Sequence, residues 1–240
     1  MVRETVAVRY APLNLRVLVA EDNPINQVTM RDQLEQLGCQ VTVAPDGAEA
    51  LAQWHIAPFD VVLTDVNMPR MNGYELAGAL RALDAAVPII GVTANALKDE
   101  EARCKAAGMN HWLVKPIKLS LLWNQLRACR GGADVAPARP APLPAGPAVP
   151  AIPAKYREVF LQTMGQDLAR LEQAQAAGDA QALRKVLHRM RGGFAAVQAR
   201  DLQQLTQHAE DRLVAGGLND DARAGLAALT AALGQALAEV

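Results

Sequence analysis

Five side chains that can bind metal ions or phosphate lie at or just after the ends of short apolar runs in this 240-residue sequence. They are Glu21, Asp22, Asp65, Thr93 and Lys115. Such runs predict buried strands, and open α/β sheets bind ligands at the carboxyl ends of their strands. Three carboxylates at one sheet edge are unfavourable unless a cation joins them, and Mg²⁺ is the natural candidate. We therefore predict a magnesium site at this edge, with a hydroxyl and a lysine beside it.

His188 is the second candidate for chemistry. Apolar residues around it recur at helical spacing and define one face: Leu183, Val186, Leu187, Met190, Phe194 and Val197. His188 lies off that face, so we expect it to project largely to solvent. Three cations share its polar side: Arg184, Lys185 and Arg191. An exposed helical histidine is often an ordinary surface residue, but this cationic setting suits an approaching phosphoryl group.

Two glycines follow His188 by one turn, at Gly192 and Gly193. Glycine costs about 1 kcal/mol relative to alanine inside a helix, so the pair needs a reason. Close approach of a partner is one.

Residues 15–129 alternate strand and helix five times. The predicted strands are 15–20, 40–44, 60–64, 87–92 and 111–114. The helices between them begin near Pro24, after Asp46-Gly47, after Asn72-Gly73, after Asn95 and at Leu119. Most strands are rich in Val, Ile and Leu with little alternation, which is typical of strands buried on both faces. Five βα units predict an α/β fold with a doubly wound, five-stranded parallel sheet.

The rest of the chain has a different character. Seven prolines in residues 131–153 forbid a regular helix and favour an extended tether of about 3 Å per residue. Residues 154–240 carry no strand signal, and weak breaks near Gly165, at 178–179, within 192–201 and at 216–220 predict four or five helices. This pattern indicates an all-α antiparallel helical bundle. The predicted units are therefore a lead-in (1–14), an α/β domain (15–130), a linker (131–153) and a bundle (154–240).

Composition excludes several classes of function. The formal net charge is −1, and residues 154–240 hold ten basic and ten acidic residues, so we expect no nucleic-acid partner. No apolar stretch approaches the roughly 20 residues that span a bilayer, so we expect no membrane contact in this segment. Three scattered cysteines without a metal-ligand spacing suit a reducing compartment. We expect a cytoplasmic location, either as a separate protein or as the cytoplasmic part of a membrane-bound sensor.

Residues 15–129 resemble a response-regulator receiver domain. The resemblance rests on Glu21-Asp22, on Asp65 at the start of Asp-Val-Asn-Met-Pro-Arg-Met-Asn-Gly, on Thr93 before Ala94, and on Lys115-Pro116. It implies a flavodoxin-like fold in which Asp65 is the phosphoacceptor, a carboxylate nucleophile that forms an acyl phosphate. It also implies that Asp22 and Asp65 hold Mg²⁺, with Glu21 acting directly or through water and the Asn67 backbone carbonyl as a further ligand.

The same resemblance gives roles to three other residues. Lys115 would place a cation on the phosphoryl oxygens, and Thr93 would hydrogen-bond a phosphoryl oxygen once Asp65 is modified. Receivers usually carry Tyr or Phe, the switch residue, three positions before the lysine, and this chain has Trp112. Indole is larger and its N–H seeks a polar partner. Trp112 is therefore either an altered switch residue or plain core.

The stretch from His188 to Ala199 resembles the signature of histidine-containing phosphotransfer (Hpt) domains. That family carries a basic residue three positions after the histidine and a glycine at the fourth, here Arg191 and Gly192. The basic residue is Arg rather than the usual Lys, and Gln198 stands where the family usually has Gly. The resemblance implies that His188 carries a phosphoryl group.

A receiver followed by an Hpt domain is the order found at the C-terminus of unorthodox hybrid sensor histidine kinases, and segments such as Gly73-Tyr74-Glu75-Leu76-Ala77 look closest to the Bvg/Evg type. The chain carries no ATP-binding kinase core. The resemblance implies a phosphorelay in which a sensor kinase, in the same or a separate chain, phosphorylates Asp65, and His188 passes the group to a response regulator. Three alternatives remain: a phosphorylation-switched receiver with the bundle as a docking module, a phosphate sink, and, more remotely, a DNA-binding regulator.

Overall fold

The computed structural model describes residues 10–94, 98–131 and 152–239. The predicted lead-in (1–14) and linker (131–153) lie mostly outside these ranges, and so does the start of the helix predicted after Asn95. Residues 10–131 form the sheet domain, and residues 152–239 form the helical domain.

The sheet domain contains a five-stranded parallel sheet with strand order β2-β1-β3-β4-β5. The strands are β1 (Arg16–Ala20), β2 (Gln40–Ala44), β3 (Val61–Asp65), β4 (Ile89–Thr93) and β5 (His111–Val114). The helices are α1 (Pro24–Gln36), α2 (Gly47–Ile56), α3 (Gly73–Leu83), α4 (Lys98–Ala106) and α5 (Leu119–Gly131). The prediction of a doubly wound, flavodoxin-like sheet is confirmed.

Burial on both faces of the sheet explains the near-continuous apolar runs of the inner strands. In β1, Val17 packs on one side with Leu34 of α1 and Leu122 of α5. The adjacent Leu18 packs on the other side with Leu76 of α3. Because the strands are parallel and in register, their carboxyl ends meet at one edge. Asp65 pairs with Val92 there, and Thr93 pairs with Val114.

The helical domain consists of α6 (Ala154–Ala176), α7 (Ala180–Ala196), α8 (Arg200–Gly216) and α9 (Asp220–Glu239). The prediction of an all-α bundle is confirmed, and short turns make successive helices antiparallel. Phe160 and Phe194 are wholly buried in its core, with ring centroids 6.3 Å apart. The break predicted at Gly165 is wrong, because α6 runs through it. A single glycine costs only about 1 kcal/mol, and the burial of nearby side chains such as Met164 offsets that cost.

The two domains contact each other through α1, which lies against α6 and α7. Ile25, in the first turn of α1, is wholly buried and belongs to the apolar core of the helical domain. At the far end of the same contact, Asp32 of α1 accepts hydrogen bonds from Lys155 and Tyr156 of α6. None of the helices in the described ranges is both long and apolar enough to cross a lipid bilayer.

Candidate phosphotransfer site

Three carboxylates meet at the carboxyl edge of the sheet, as the sequence pattern predicted. Glu21 and Asp22 follow β1, and Asp65 is the last residue of β3. One carboxylate oxygen from each lies within 4.8 Å of the others. Glu21 and Asp65 are buried, whereas Asp22 is half-buried at the mouth of the group. We call these three residues the acidic pocket.

Lys115 closes the acidic pocket from the side of β5. Its Nζ lies 2.7 Å from Glu21 Oε2 and 2.5 Å from Asp65 Oδ2. Burial alone would lower the pKa of this amine, but the two carboxylates raise it well above its usual range. Lys115 therefore carries its charge at neutral pH, and one cation faces three acids.

The charged forms of Glu21 and Asp22 are disfavoured despite the positive charge of Lys115. Burial raises the pKa of Glu21, and the charge of Lys115 opposes that effect. Burial, followed by the charges of Glu21 and Asp65, raises the pKa of Asp22 to about 7. Carboxylates whose charged forms are disfavoured in this way form a site that a second cation would stabilise.

The donor type of the pocket fits Mg²⁺, and hydrogen bonds hold its carboxylates in place. Mg²⁺ prefers a few carboxylate oxygens and retains waters. Hydrogen bonds from the Asn23 backbone N–H (3.1 Å) and the Asn26 side-chain amide (2.9 Å) hold Glu21 Oε1. The Asn67 backbone N–H donates to Asp65 Oδ1 at 3.1 Å, and the Asn67 side chain is exposed. A carbonyl contact from Asn67 to a metal remains a prediction.

Thr93 and Trp112 have different surroundings. Thr93 is buried at the end of β4, and its carbonyl accepts a hydrogen bond from the Lys115 backbone N–H at 2.8 Å, so these two residues share the edge with Asp65. Trp112 is half-buried and packs against the core layer that contains Leu76, with Lys105 Nζ 5.5 Å from its ring centroid. Its role as a switch residue remains a prediction.

His188 lies in α7 within a second polar group. Arg191 Nη2 lies 3.2 Å from His188 Nδ1, and Glu210 Oε1 of α8 lies 4.0 Å from the same nitrogen. Arg191 also pairs with Glu210 Oε2 at 3.0 Å. Burial lowers the pKa of His188 to about 4, although the charge of Asp65 opposes that shift. The imidazole is therefore neutral at pH 7 and retains a lone pair for nucleophilic attack.

The expected solvent exposure of His188 is wrong. Its side chain is only 26% exposed. Helical periodicity placed it correctly off the apolar face of α7, but periodicity describes a helix without the other elements that pack against it. Glu210 packs beside the ring from α8, and the sheet domain lies against the same part of α7.

Gly192 and Gly193 lie where the backbone of α7 comes close to the sheet domain. A Cβ on Gly192 would lie 3.1 Å from Asn26 Nδ2 and 3.9 Å from Lys115 Nζ. A Cβ on Gly193 would lie 3.0 Å from Asn23 Nδ2 and 3.2 Å from Ile25 Cδ1. The glycine pair lets α7 approach the edge of the sheet that carries the acidic pocket.

A shared cleft connects the two polar groups. It has a volume of about 1070 Å³. Asp22 and Asn67 line it from the sheet domain, and His188, Arg191 and Glu210 line it from the helical domain. The charge of Asp65 also acts on His188 across the boundary. The cleft therefore places His188 opposite the mouth of the acidic pocket.

Comparison with known proteins identifies both domains. The model of the response regulator receiver domain matches residues 17–127, and the model of the Hpt domain matches residues 155–239. The chain is a receiver domain followed by an Hpt domain. This finding confirms the family resemblance drawn from the sequence motifs.

The matched relatives are sensor proteins. The virulence sensor protein BvgS of Bordetella bronchiseptica is 36% identical over 215 residues, covering 78% of this chain and 17% of the relative. The sensor histidine kinase RcsC of Salmonella typhimurium is 45% identical over 113 residues, covering 47% of this chain and 12% of the relative. The sensor protein EvgS of Escherichia coli K12 is 34% identical over 186 residues, covering 75% of this chain and 16% of the relative. The chain thus spans less than a fifth of the length of each of these curated relatives.

Among solved structures, the receiver domain of a sensor histidine kinase from Pseudomonas aeruginosa, with a magnesium ion coordinated in its active-site cleft, shares 37% sequence identity. The match covers 49% of this chain and 98% of that chain, with a TM-score of 0.47.

The sequence analysis missed two acidic residues of the Hpt domain. Asp167 is wholly buried in α6 and pairs with Arg170 (2.8 Å) and with Arg189 (3.3 Å). It lies on the same face of α6 as the buried Phe160, Met164 and Leu171. An acidic residue at a position where helical periodicity predicts an apolar one could have marked Asp167 as unusual in the sequence. Glu210 lies 22 positions after His188, on another helix, and no local pattern links the two residues.

Proposed function

We propose that this segment is a two-component phosphorelay intermediate. A sensor kinase donates a phosphoryl group to Asp65, Asp65 passes it to His188, and His188 passes it to an aspartate of a separate response regulator. The shared cleft carries this proposal, because it connects His188 to the edge of the acidic pocket at Asp22 and Asn67, and the charge of Asp65 acts on His188. The family membership of both domains and their similarity to the matched sensor proteins support it.

The first step forms an acyl phosphate. A carboxylate oxygen of Asp65 attacks the phosphorus of the kinase's phosphohistidine, the P–N bond breaks, and the imidazole leaves. Lys115, already 2.5 Å from Asp65 Oδ2, neutralises charge on the phosphoryl oxygens, and Thr93 stands at the same edge to donate its hydroxyl. Glu21, Asp22, Asp65 and the Asn67 carbonyl would hold Mg²⁺, which stabilises the charge that develops on the transferred group.

The second step moves the group to His188. A ring nitrogen attacks phosphorus, the P–O bond to Asp65 breaks, and the carboxylate is released. Nδ1 faces Arg191 and Glu210, so Nε2 is the nitrogen left to attack. Attack by Nε2 requires the ring proton on Nδ1, so Arg191, which can only donate, has to withdraw from Nδ1 and leave Glu210 as the acceptor. Arg191 and Gly192 then border the phosphoryl group without crowding it.

The partners follow from this chemistry. We propose a sensor histidine kinase, in the same or a separate chain, as the donor and a response regulator as the acceptor. We also propose that the segment works in the cytoplasm. Cys39, Cys104 and Cys129 are all free thiols, which suits a reducing compartment.

Radiolabelled acetyl phosphate with Mg²⁺ tests the proposal on the full chain. Wild type is compared with Asp65→Asn and His188→Gln, and acid or base lability separates phosphohistidine from acyl phosphate. We expect label on His188 only when Asp65 is intact. Label that remains on Asp65 in the presence of a cognate regulator would favour the receiver-switch alternative, and rapid loss of label as inorganic phosphate would favour the phosphate sink.

A further inference from the structure

A polar contact joins the two domains away from the phosphotransfer site. Asp32 Oδ2 accepts a hydrogen bond from Lys155 Nζ at 2.6 Å and another from the Tyr156 hydroxyl at 2.7 Å. Although burial alone would raise the pKa of Asp32, the hydrogen bonds from Lys155 and Tyr156 lower it. We call Asp32, Lys155 and Tyr156 the latch.

The latch sits where the chain enters the Hpt domain. Lys155 and Tyr156 belong to the first turn of α6, and Ile152, just before it, is buried in the Hpt core. The Tyr156 backbone N–H donates to the Pro153 carbonyl at 2.8 Å, which fixes this turn. The segment that follows the linker is therefore held on the receiver as well as on its own domain.

The latch shares one helix with the phosphotransfer site but does not touch it. Asp32 lies seven residues after Ile25, which is about two helical turns, or roughly 10 Å, along α1. At one end of α1, Ile25 packs into the Hpt core beside Gly193. At the other end, Asp32 is held by the latch. Two separated contacts on one helix restrict the orientation of the domains more than either contact alone.

We propose that the latch selects the chain's own Hpt domain as the partner of the α1 face, so that Asp65 passes its phosphoryl group to His188 of the same molecule. This inference rests on the proposed function and adds that the phosphoryl group moves within one molecule. Transfer within one molecule needs no encounter between chains, because the tether and the latch keep the second reactant at high local concentration.

The latch must also open. His188 faces the receiver in the docked state, and the same face of α7 has to meet the aspartate of the downstream regulator. The Lys155 and Asp32 side chains are 55% and 32% exposed, and an ion pair this exposed is weak and screened by salt. The docked and open states can therefore exchange during one relay cycle.

Charge reversal and charge swap test the latch in the full chain. Asp32→Lys, Lys155→Asp and the double variant are loaded with radiolabelled acetyl phosphate and Mg²⁺, and the conversion of acyl phosphate to phosphohistidine is timed. We expect each single variant to convert roughly three- to tenfold more slowly, with normal loading of Asp65, and the double variant to recover most of the rate. Glu35→Lys is the matched control, since Glu35 is exposed on the same helix and its side chain has no ion pair within the described residues.

Small-angle scattering gives a second readout that needs no phosphoryl group. The single variants should have a larger radius of gyration than wild type, and the double variant should return towards the wild-type value. Unchanged transfer rates and unchanged scattering in the single variants would overturn the latch while leaving the relay intact. Absence of phosphohistidine in the wild-type chain would instead overturn the proposed function and the role of the latch with it.

Discussion

Asn23 connects the two halves of the phosphotransfer site with one side chain. Its Oδ1 accepts a hydrogen bond from the Ile25 backbone N–H at 2.9 Å and so caps α1. Its Nδ2 donates to the backbone carbonyl of Arg189 at 2.8 Å. Asn23 follows Asp22 in the chain, and Arg189 follows His188. The neighbour of a carboxylate of the acidic pocket is thus hydrogen-bonded to the neighbour of His188.

The close approach at Gly193 predicts a selective loss of transfer on substitution. A methyl group at Gly193 would lie 3.0 Å from Asn23 Nδ2 and 3.3 Å from Met164 Cε, so Gly193→Ala should push α1 away. We expect the conversion of acyl phosphate to phosphohistidine to fall roughly tenfold, since an error of about 1 Å in position can cost a hundredfold. Rapid-quench kinetics on phosphorylated chains measures this rate.

Gly165→Ala is the matched control for this prediction. Gly165 is exposed in α6, and a Cβ there would meet nothing within 4 Å. The substitution should leave transfer unchanged and stabilise the Hpt domain by about 1 kcal/mol through helix propensity. If the two alanine variants transferred equally fast, the tight approach at Gly193 would have no functional role.

Removing the cation of the acidic pocket should destabilise the receiver unless a metal replaces it. Lys115→Met leaves buried carboxylates without their partner, so the free energy of unfolding should fall by about 3–5 kcal/mol at pH 7.5 without Mg²⁺. Added Mg²⁺ should recover more stability in the variant than in wild type. Urea unfolding followed by circular dichroism measures both effects. Lys118→Met, at an exposed lysine, should change stability by no more than about 0.5 kcal/mol.

Proton release should accompany metal binding at neutral pH. Because the pKa of Asp22 is raised to about 7, roughly half of the chains carry a proton there at pH 7. Mg²⁺ needs the carboxylate, so its affinity should rise with pH up to about 7 and then level off. Calorimetric titration in two buffers of different ionisation enthalpy counts the protons released. A Mg²⁺ affinity independent of pH between 6 and 8 would contradict the raised pKa of Asp22.

The imidazole of His188 should titrate far below an ordinary histidine. Burial lowers its pKa to about 4. The folded chain therefore binds fewer protons there than the unfolded chain, whose histidine has a pKa near 6.5. The associated stability is complete above about pH 6.5 and is lost as the pH falls towards 4. An NMR titration of the ring protons measures the pKa. A midpoint near 6.5 for His188 would contradict its burial between the domains.

Local patterns in the sequence were sufficient to predict the elements and the acidic pocket. Strands such as Val61–Asp65 are buried on both faces, so their apolar runs stand out, and a parallel sheet brings every strand's carboxyl end to one edge. Asp22 and Asp65 could therefore be placed at the same edge of the sheet from the order of strands and helices along the chain. Gly192 and Gly193 also pointed to a close partner before any partner was known.

The contact between domains could not be predicted in the same way. Ile25 is an unremarkable apolar residue of α1 in sequence, and its burial depends on residues such as Met164, far along the chain. Asp32 and Lys155 are two of many surface charges until the fold brings them within 2.6 Å. The exposure of His188 was overestimated for the same reason, because helical periodicity describes a helix and its own core but not a second domain packed against it.

Mixing two full-length variants tests most directly whether Asp65 and His188 of one chain exchange a phosphoryl group. Asp65→Asn chains, which retain His188, are mixed with His188→Gln chains, which retain Asp65, and the mixture is compared with wild type after labelling with acetyl phosphate and Mg²⁺. We predict that wild type forms phosphohistidine at a rate independent of protein concentration, and that the dilute mixture forms little. A wild-type rate that rises in proportion to concentration and matches that of the mixture would contradict transfer within one molecule.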